Sequence, residues 1–229
     1  MKLLFIRHGE PNYELDCLTE NGVIQAQRLR ERLEKTEKID AVYLSPMGRA
    51  QQTGKIYLEG EILPTKTCDW LREFNDGAVT PGYETAVPVW DWYPKYWTEI
   101  PEYYDRAHFA DIAEVAGSSI PQHFADACKG LDEVLAEHGL KREGGLYVKT
   151  DNTDKTLAFF CHFGITCVMI AHLLGVSPIL TLQGLSAEPT AIATLCTDDR
   201  FGDRVNFRLH GFGDISHLGN IGNSGVNYK

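Results

Sequence analysis

Lys2-Leu3-Leu4-Phe5-Ile6-Arg7-His8-Gly9-Glu10 is the stretch on which the fold turns. Lys2–Ile6 reads as a buried strand, and it ends in an arginine beside a histidine. Such a strand delivers a fixed cation and an imidazole together to the carboxyl edge of a sheet, where open α/β folds bind ligands. Arginine grips phosphate oxygens bidentately and histidine serves as nucleophile or acid, so the pair points to phosphate chemistry. Four residues prove little alone. The reading depends on partners supplied elsewhere in the chain.

Outward from this strand, strand-like and helix-like segments alternate, the pattern of a mostly parallel sheet covered on both faces. Residues 19–34 read as a helix, with Thr19 as N-cap and Val23, Ala26, Leu29 and Leu33 as its apolar stripe. Ala41–Leu44 is a second strand, and Pro46 is expected to open a helix running to about Tyr57. A further strand is expected at Leu63–Thr67. Ser119, with Gln122 three residues on, is placed to cap a helix that ends at Gly139. Thr156–Cys161 is nearly all apolar and reads as a central strand, followed directly by a helix with Gly175 and Pro178 as stop signals. Thr190–Cys196 and Arg204–His210 are expected as strands joined by a turn, which makes one edge antiparallel. The Gly- and Asn-rich tail from Gly211 is expected to be loop. The expected architecture is a three-layer α/β sandwich: a mostly parallel central sheet, helices on both faces, and an inserted aromatic-rich segment. It forms a single domain over residues 1–229, with the insertion at about 78–118.

Bulk properties narrow the function. The chain has 229 residues, 43% hydrophobic and 24% charged, enough for one substantial core. Its net charge of −10 argues against nucleic acid or an anionic membrane as partner, because both reward a basic surface. The six cysteines include no CxxC pair and read as reduced thiols. With no signal-peptide pattern and no run of ~20 apolar residues, the expected compartment is the cytoplasm. Oligomeric state is not encoded in any feature of the sequence.

Four separated pieces converge on one sheet edge. They are Arg7-His8-Gly9 after the first strand, Ser45-Pro46-Met47-Gly48-Arg49-Ala50 after the second, Leu71-Arg72-Glu73, and Cys161-His162-Phe163-Gly164 after the central strand. Arg49 falls in the first turn of a helix, whose N-terminus itself favours anions. Taken in order, these pieces resemble the histidine phosphatase (phosphoglycerate mutase-like) superfamily. Its opening motif is matched by Arg7-His8-Gly9-Glu10. Its Leu-Thr-x-x-Gly-x-x-Gln-Ala segment is matched from Leu18 to Ala26, its Ser-x-x-x-Arg-Ala motif through Arg49-Ala50, and its acid segment by Leu71-Arg72-Glu73. The matches cover roughly residues 1–77 and 156–175. One departure stands out: the family's usual His-Gly-Gly is His162-Phe163-Gly164 here.

The resemblance implies a metal-independent phosphomonoesterase of the histidine acid phosphatase type, working on a small-molecule phosphoester without cofactor. His8 would be the nucleophile, forming a phosphohistidine. Arg7, Arg49 and His162 would surround the phosphoryl oxygens, and Glu73 would protonate the leaving group and then activate water. Phe163 and Asn12 are expected to line the substrate pocket. Glu10 is expected to point away from phosphate, and Glu14 and Asp16 to be solvated loop residues. A zinc reading from His8, His162, Cys161 and Asp16 is rejected, because HExxH and paired cysteines are missing and the arginines would repel a dication. Two alternatives remain open at this point, phosphoglycerate mutase-type transfer and a non-catalytic phospholigand-binding module. The short Pro11-Asn12-Tyr13 loop favours hydrolysis over the first, and the presence of both His8 and Glu73 disfavours the second. The aromatic insertion is expected to form a small satellite core. If it instead covers the site, its rings favour a substrate with an apolar or stackable body.

Overall fold

A computed structural model describes residues 1–200 and 202–221. The principal elements are β1 (Lys2–Arg7), α1 (Glu20–Thr36), β2 (Ala41–Leu44), α2 (Gly48–Leu58), β3 (Thr65–Thr67) and α3 (Ile120–Glu137). They continue with β4 (Thr156–Cys161), α4 (Phe163–Leu174), α5 (Pro178–Gly184), β5 (Ile192–Thr197) and β6 (Phe207–Asp214). The six strands form one sheet in the order β6-β5-β1-β4-β2-β3. The run from β1 through β4 and β2 to β3 is parallel, whereas β5 lies antiparallel to both β1 and β6.

Alternation along the strands builds two cores. Phe5, Phe159 and Tyr43 share one face in register and stack at 4.8 and 5.0 Å between ring centres. That face is covered by α3 and α4, through residues such as Leu131, Leu135, Ile165 and Met169. Leu4, Ile6, Val42, Leu44 and Phe160 point the other way, onto Leu29 and Leu33 of α1 and Tyr57 of α2. The result is the expected three-layer sandwich. Because β1, β2, β3 and β4 run parallel, their carboxyl ends open on a single edge, and the four sequence pieces meet there.

Several local expectations shift. Helix α2 starts at Gly48 with Met47 as its N-cap, two residues after Pro46. Thr19 caps α1 as expected, its hydroxyl accepting from the Gly22 N–H at 3.0 Å. Ser119 precedes α3 but makes no cap bond; its hydroxyl donates to Asp76 instead. Pro178 does more than stop α4, since it opens α5. The expected strand 204–210 divides at Asn206. Arg204–Val205 joins the hairpin Leu140–Glu143/Leu146–Lys149 in a second small sheet, and β6 runs on through Gly211–Asp214, which were expected to be loop. Short 3-10 turns follow over Ser216–Ile221, and residues 222–229 of the expected tail lie outside the described residues. The aromatic insertion is not a satellite. Val89, Trp92, Tyr103, Phe109 and Val115 are buried in the same cluster as α3 and α4. It does so through short turns and one-turn helices, so the segment carries no period. Among the described residues, no helix is long and apolar enough to cross a membrane.

Candidate active site

His8 follows β1 directly and is 1% exposed. Its Nδ1 lies 2.7 Å from the Gly9 carbonyl oxygen, an acceptor only, so Nδ1 carries the proton and Nε2 keeps its lone pair. Nε of Arg49, in the first turn of α2, donates to that lone pair at 3.2 Å. The Gly9 backbone is pinned to the same helix: its N–H donates to Thr53 Oγ1 at 3.1 Å, and that hydroxyl donates to the Arg49 carbonyl at 2.8 Å. Burial pushes the His8 imidazole down to about 3; the Gly9 contact opposes this, while Arg7 and Arg49 add to it. The ring is therefore neutral at ordinary pH, the form a nitrogen nucleophile requires.

His162 sits where β4 gives way to α4, with no exposed surface. Its ring meets that of His8 edge-on, 5.1 Å between centres. Ser45 Oγ, at the end of β2, lies 2.7 Å from His162 Nε2 and also accepts from the Met47 N–H at 3.3 Å. The hydroxyl both donates and accepts, so this contact fixes the orientation of the His162 ring. Nδ1 is buried without a partner among the described residues, a free ring nitrogen beside His8. Burial, then His8 and the two arginines, push this imidazole down to about 2, so it too is neutral.

Arg7, the last residue of β1, donates through Nη1 to the Ala187 carbonyl, while its buried Nε has no partner among the described residues. Glu73 follows the turn after β3. Its Oε1 accepts from the backbone N–H groups of Phe74 at 2.9 Å and Ile165 at 3.2 Å. Desolvation by burial nevertheless outweighs these bonds and the attraction of Arg7 and Arg49, so the carboxyl titrates above its ordinary range. Gly164 makes this close approach possible. A Cβ there would lie 2.9 Å from Glu73 Oε1 and 2.5 Å from Trp90. His8, Arg7, Arg49, His162 and Glu73 are thus brought to one sheet edge, with two neutral imidazoles, two guanidiniums and one carboxyl biased toward its protonated form.

The other expectations separate. Phe163, the first residue of α4, packs its ring edge-on to Trp90 at 5.9 Å and helps line a groove with Asp91, Leu182, Gln183 and Leu185. Asn12 lies on the surface segment leading to Asp16, where its Oδ1 accepts from the N–H groups of Glu14 and Leu15 and closes a turn. Glu10 points to the start of α1, accepting from Thr19 Oγ1 and Asn21 Nδ2, each at 2.8 Å. Two residues were undervalued by sequence reasoning. Ser45 orients His162 and was visible only as a motif position. Asp16, expected to be solvated, pairs with Arg49 Nη1 at 2.6 Å. Among the described residues, no cluster of His, Cys, Asp or Glu is arranged to hold a metal ion.

The family model of the histidine phosphatase superfamily (branch 1) matches residues 3–205. No curated protein sequence matches the chain. Among solved structures, a mutant phosphoserine phosphatase from Entamoeba histolytica in complex with phosphoserine is 20% identical with a TM-score of 0.57, covering 95% of this chain and 98% of that one. A mycobacterial glucosyl-3-phosphoglycerate phosphatase complexed with VO3 is 19% identical with a TM-score of 0.59, covering 92% and 97%. A putative alpha-ribazole-5'-P phosphatase from Escherichia coli is 20% identical with a TM-score of 0.57, covering 94% and 98%. At this identity the likeness to each structure is one of fold.

Proposed function

The chain belongs to the histidine phosphatase superfamily, and on that premise we propose that it is a phosphatase, hydrolysing a phosphomonoester through a phosphohistidine on His8. The observation that carries this reading is the state of the His8 ring. Its proton is held on Nδ1 by Gly9, its Nε2 lone pair faces Arg49, and burial keeps it neutral. An incoming phosphate oxygen takes the Arg49 N–H, and the released lone pair attacks phosphorus in line with the leaving oxygen. Arg7 Nε, which lacks a partner among the described residues, donates to the equatorial oxygens as charge gathers there, and the equally unpartnered His162 Nδ1 joins it in the tautomer that carries the ring proton on that nitrogen.

Glu73 supplies the proton. Burial favours the protonated form of this carboxyl, the form that gives its proton to the leaving oxygen. As carboxylate it then takes a proton from the water that attacks the phosphohistidine, which returns His8 and releases inorganic phosphate. None of these steps requires a metal. The groove beside the site is lined by Trp90, Phe163, Leu182 and Leu185 together with Asp91 and Gln183, with no lysine or arginine among the described residues that line it. This supports a substrate whose alcohol part is apolar or flat rather than a second anionic group.

The test is hydrolysis of an aryl phosphate in EDTA by the parent and by His8→Ala. Activity that survives EDTA, vanishes in His8→Ala and leaves acid-labile phosphate on His8 in the parent is the expected result. Loss in EDTA with rescue by a divalent ion overturns the mechanism. Including 3-phosphoglycerate and phosphoserine in the panel separates hydrolysis from transfer, and the expected outcome is release of inorganic phosphate.

A further inference from the structure

Asp16 lies on the segment between two paired dipeptides, Pro11–Asn12 and Cys17–Leu18. Its backbone is left-handed, φ 47°, a conformation that only Asp16 and Thr190 share among the described non-glycine residues. Aspartate tolerates this region better than most residues, but the conformation still costs energy and must be imposed by its surroundings. From there the carboxylate reaches the start of α2 twice. Oδ2 accepts from the Gly48 backbone N–H at 2.6 Å, and Oδ1 accepts from Arg49 Nη1 at 2.6 Å. Glycine at position 48 is what admits this approach, since a Cβ there would lie 2.1 Å from the Asp16 carbonyl oxygen.

We propose that Asp16 is a positioning residue for Arg49, setting the plane in which that guanidinium faces His8 and the incoming phosphate. The inference rests on the phosphatase reading given above. An arginine side chain has four rotatable bonds, and one contact leaves its plane free to turn. Arg49 has two short ones, Nε on His8 and Nη1 on Asp16, which together fix the plane, and a longer one from Nη2 to Met47 Sδ at 3.7 Å. Asp16 is itself tied to the helix that carries Arg49, so the pair is held as a unit. The Tyr13 ring, from the same segment, lies 5.4 Å from Arg49 Cζ and adds a third wall.

An ordinary surface ion pair would not be built this way. Such pairs join two mobile, hydrated side chains and contribute little. Here the arginine side chain is 7% exposed, and the carboxylate, itself 42% exposed, also serves a backbone N–H. Burial works to raise the Asp16 carboxyl, but the Gly48 N–H and the Arg49 guanidinium overcome it and hold it below the usual carboxylate range. The carboxylate stays ionised and bound to its partners.

Asp16→Asn keeps the shape and removes the charge, and kcat, KM and the inhibition constant for inorganic phosphate are measured in the parent and in Arg49→Ala. A positioning role predicts about a tenfold lower kcat in the parent background, no further loss in Arg49→Ala, and phosphate inhibition unchanged or stronger because a negative charge has gone. Gly48→Ala, which displaces Asp16 while leaving its charge, is expected to lower kcat to a similar degree. Asp16→Asn within about twofold of the parent, or an equal loss in both backgrounds, overturns the inference. An inactive parent overturns the phosphatase reading and this inference with it, whereas an active parent indifferent to Asp16→Asn overturns this inference alone.

Discussion

Nε of Arg49 lies 3.2 Å from Nε2 of His8, so the guanidinium rests on the one nitrogen of that ring that keeps a lone pair. The same side chain reaches Asp16 through Nη1. A lysine offers one ammonium and cannot hold both contacts in a fixed plane. Arg49→Lys is therefore expected to lower kcat/KM on an aryl phosphate by about 10²-fold, close to the effect of removing one preorganised donor from an oxyanion site. Steady-state kinetics in EDTA measures this, and a variant within a few-fold of the parent would show that the bidentate placement is immaterial.

Glu73 and Gly164 form a second linked pair. A methyl group on residue 164 would meet Glu73 Oε1, Trp90 and the Phe74 carbonyl at once, two of them below 3.0 Å. Gly164→Ala must move the carboxyl from its place. Alkyl phosphates, whose leaving oxygen needs a proton, should lose about tenfold or more in kcat, while nitrophenyl phosphates should lose much less. Because the Glu73 carboxyl is raised, the parent's kcat on alkyl phosphates should fall as pH climbs through that elevated value. Glu73→Gln should abolish that basic limb. Equal losses on both substrate classes in Gly164→Ala would contradict the acid role.

Ser45 acts on His162 from outside the phosphate site. Its hydroxyl is the partner of His162 Nε2, and both residues are fully buried. Ser45→Ala leaves a buried ring nitrogen unpaired, which costs about 1–3 kcal/mol of stability. It also removes the contact that orients the ring beside His8. Urea unfolding should record the first effect and kcat the second. Ser45→Thr, which retains the hydroxyl, should recover part of kcat, and no recovery would mean that packing rather than the hydrogen bond matters.

What could be read from the chain follows from how local each signal is. β1 ends in Arg7 and His8, β4 runs directly into His162, and β2 leads through a short turn to Arg49 in the first turn of α2. A parallel sheet then aligns the three ends without further information. Asp16 was illegible because its role depends on a left-handed backbone and on the missing Cβ of Gly48 across space. The insertion was illegible for another reason. Trp92, Tyr103 and Phe109 are buried one at a time from short turns, so no periodicity announces that they extend the main core. The hairpin 140–149 did have a signal, the Gly144-Gly145 turn, and Gly144 is indeed left-handed at φ 62°.

Keeping His8 and His162 neutral carries a stability cost at low pH. Both are pushed from 6.5 to about 3 and about 2, with burial the largest cause in each. A histidine depressed in the folded state binds protons more readily when unfolded. Its contribution to stability is therefore complete above pH 6.5 and is lost as pH falls from 6.5 toward the folded value. Between pH 7.5 and 5.0 each ring should account for about 2 kcal/mol of lost stability. Urea unfolding of the parent and of His8→Asn at these two pH values isolates the term, because the other titrating groups are common to both proteins. The parent should lose about 2 kcal/mol more than the variant on acidification. Equal losses would mean that the His8 ring charges freely in the folded protein, and that burial does not hold it in its nucleophilic form.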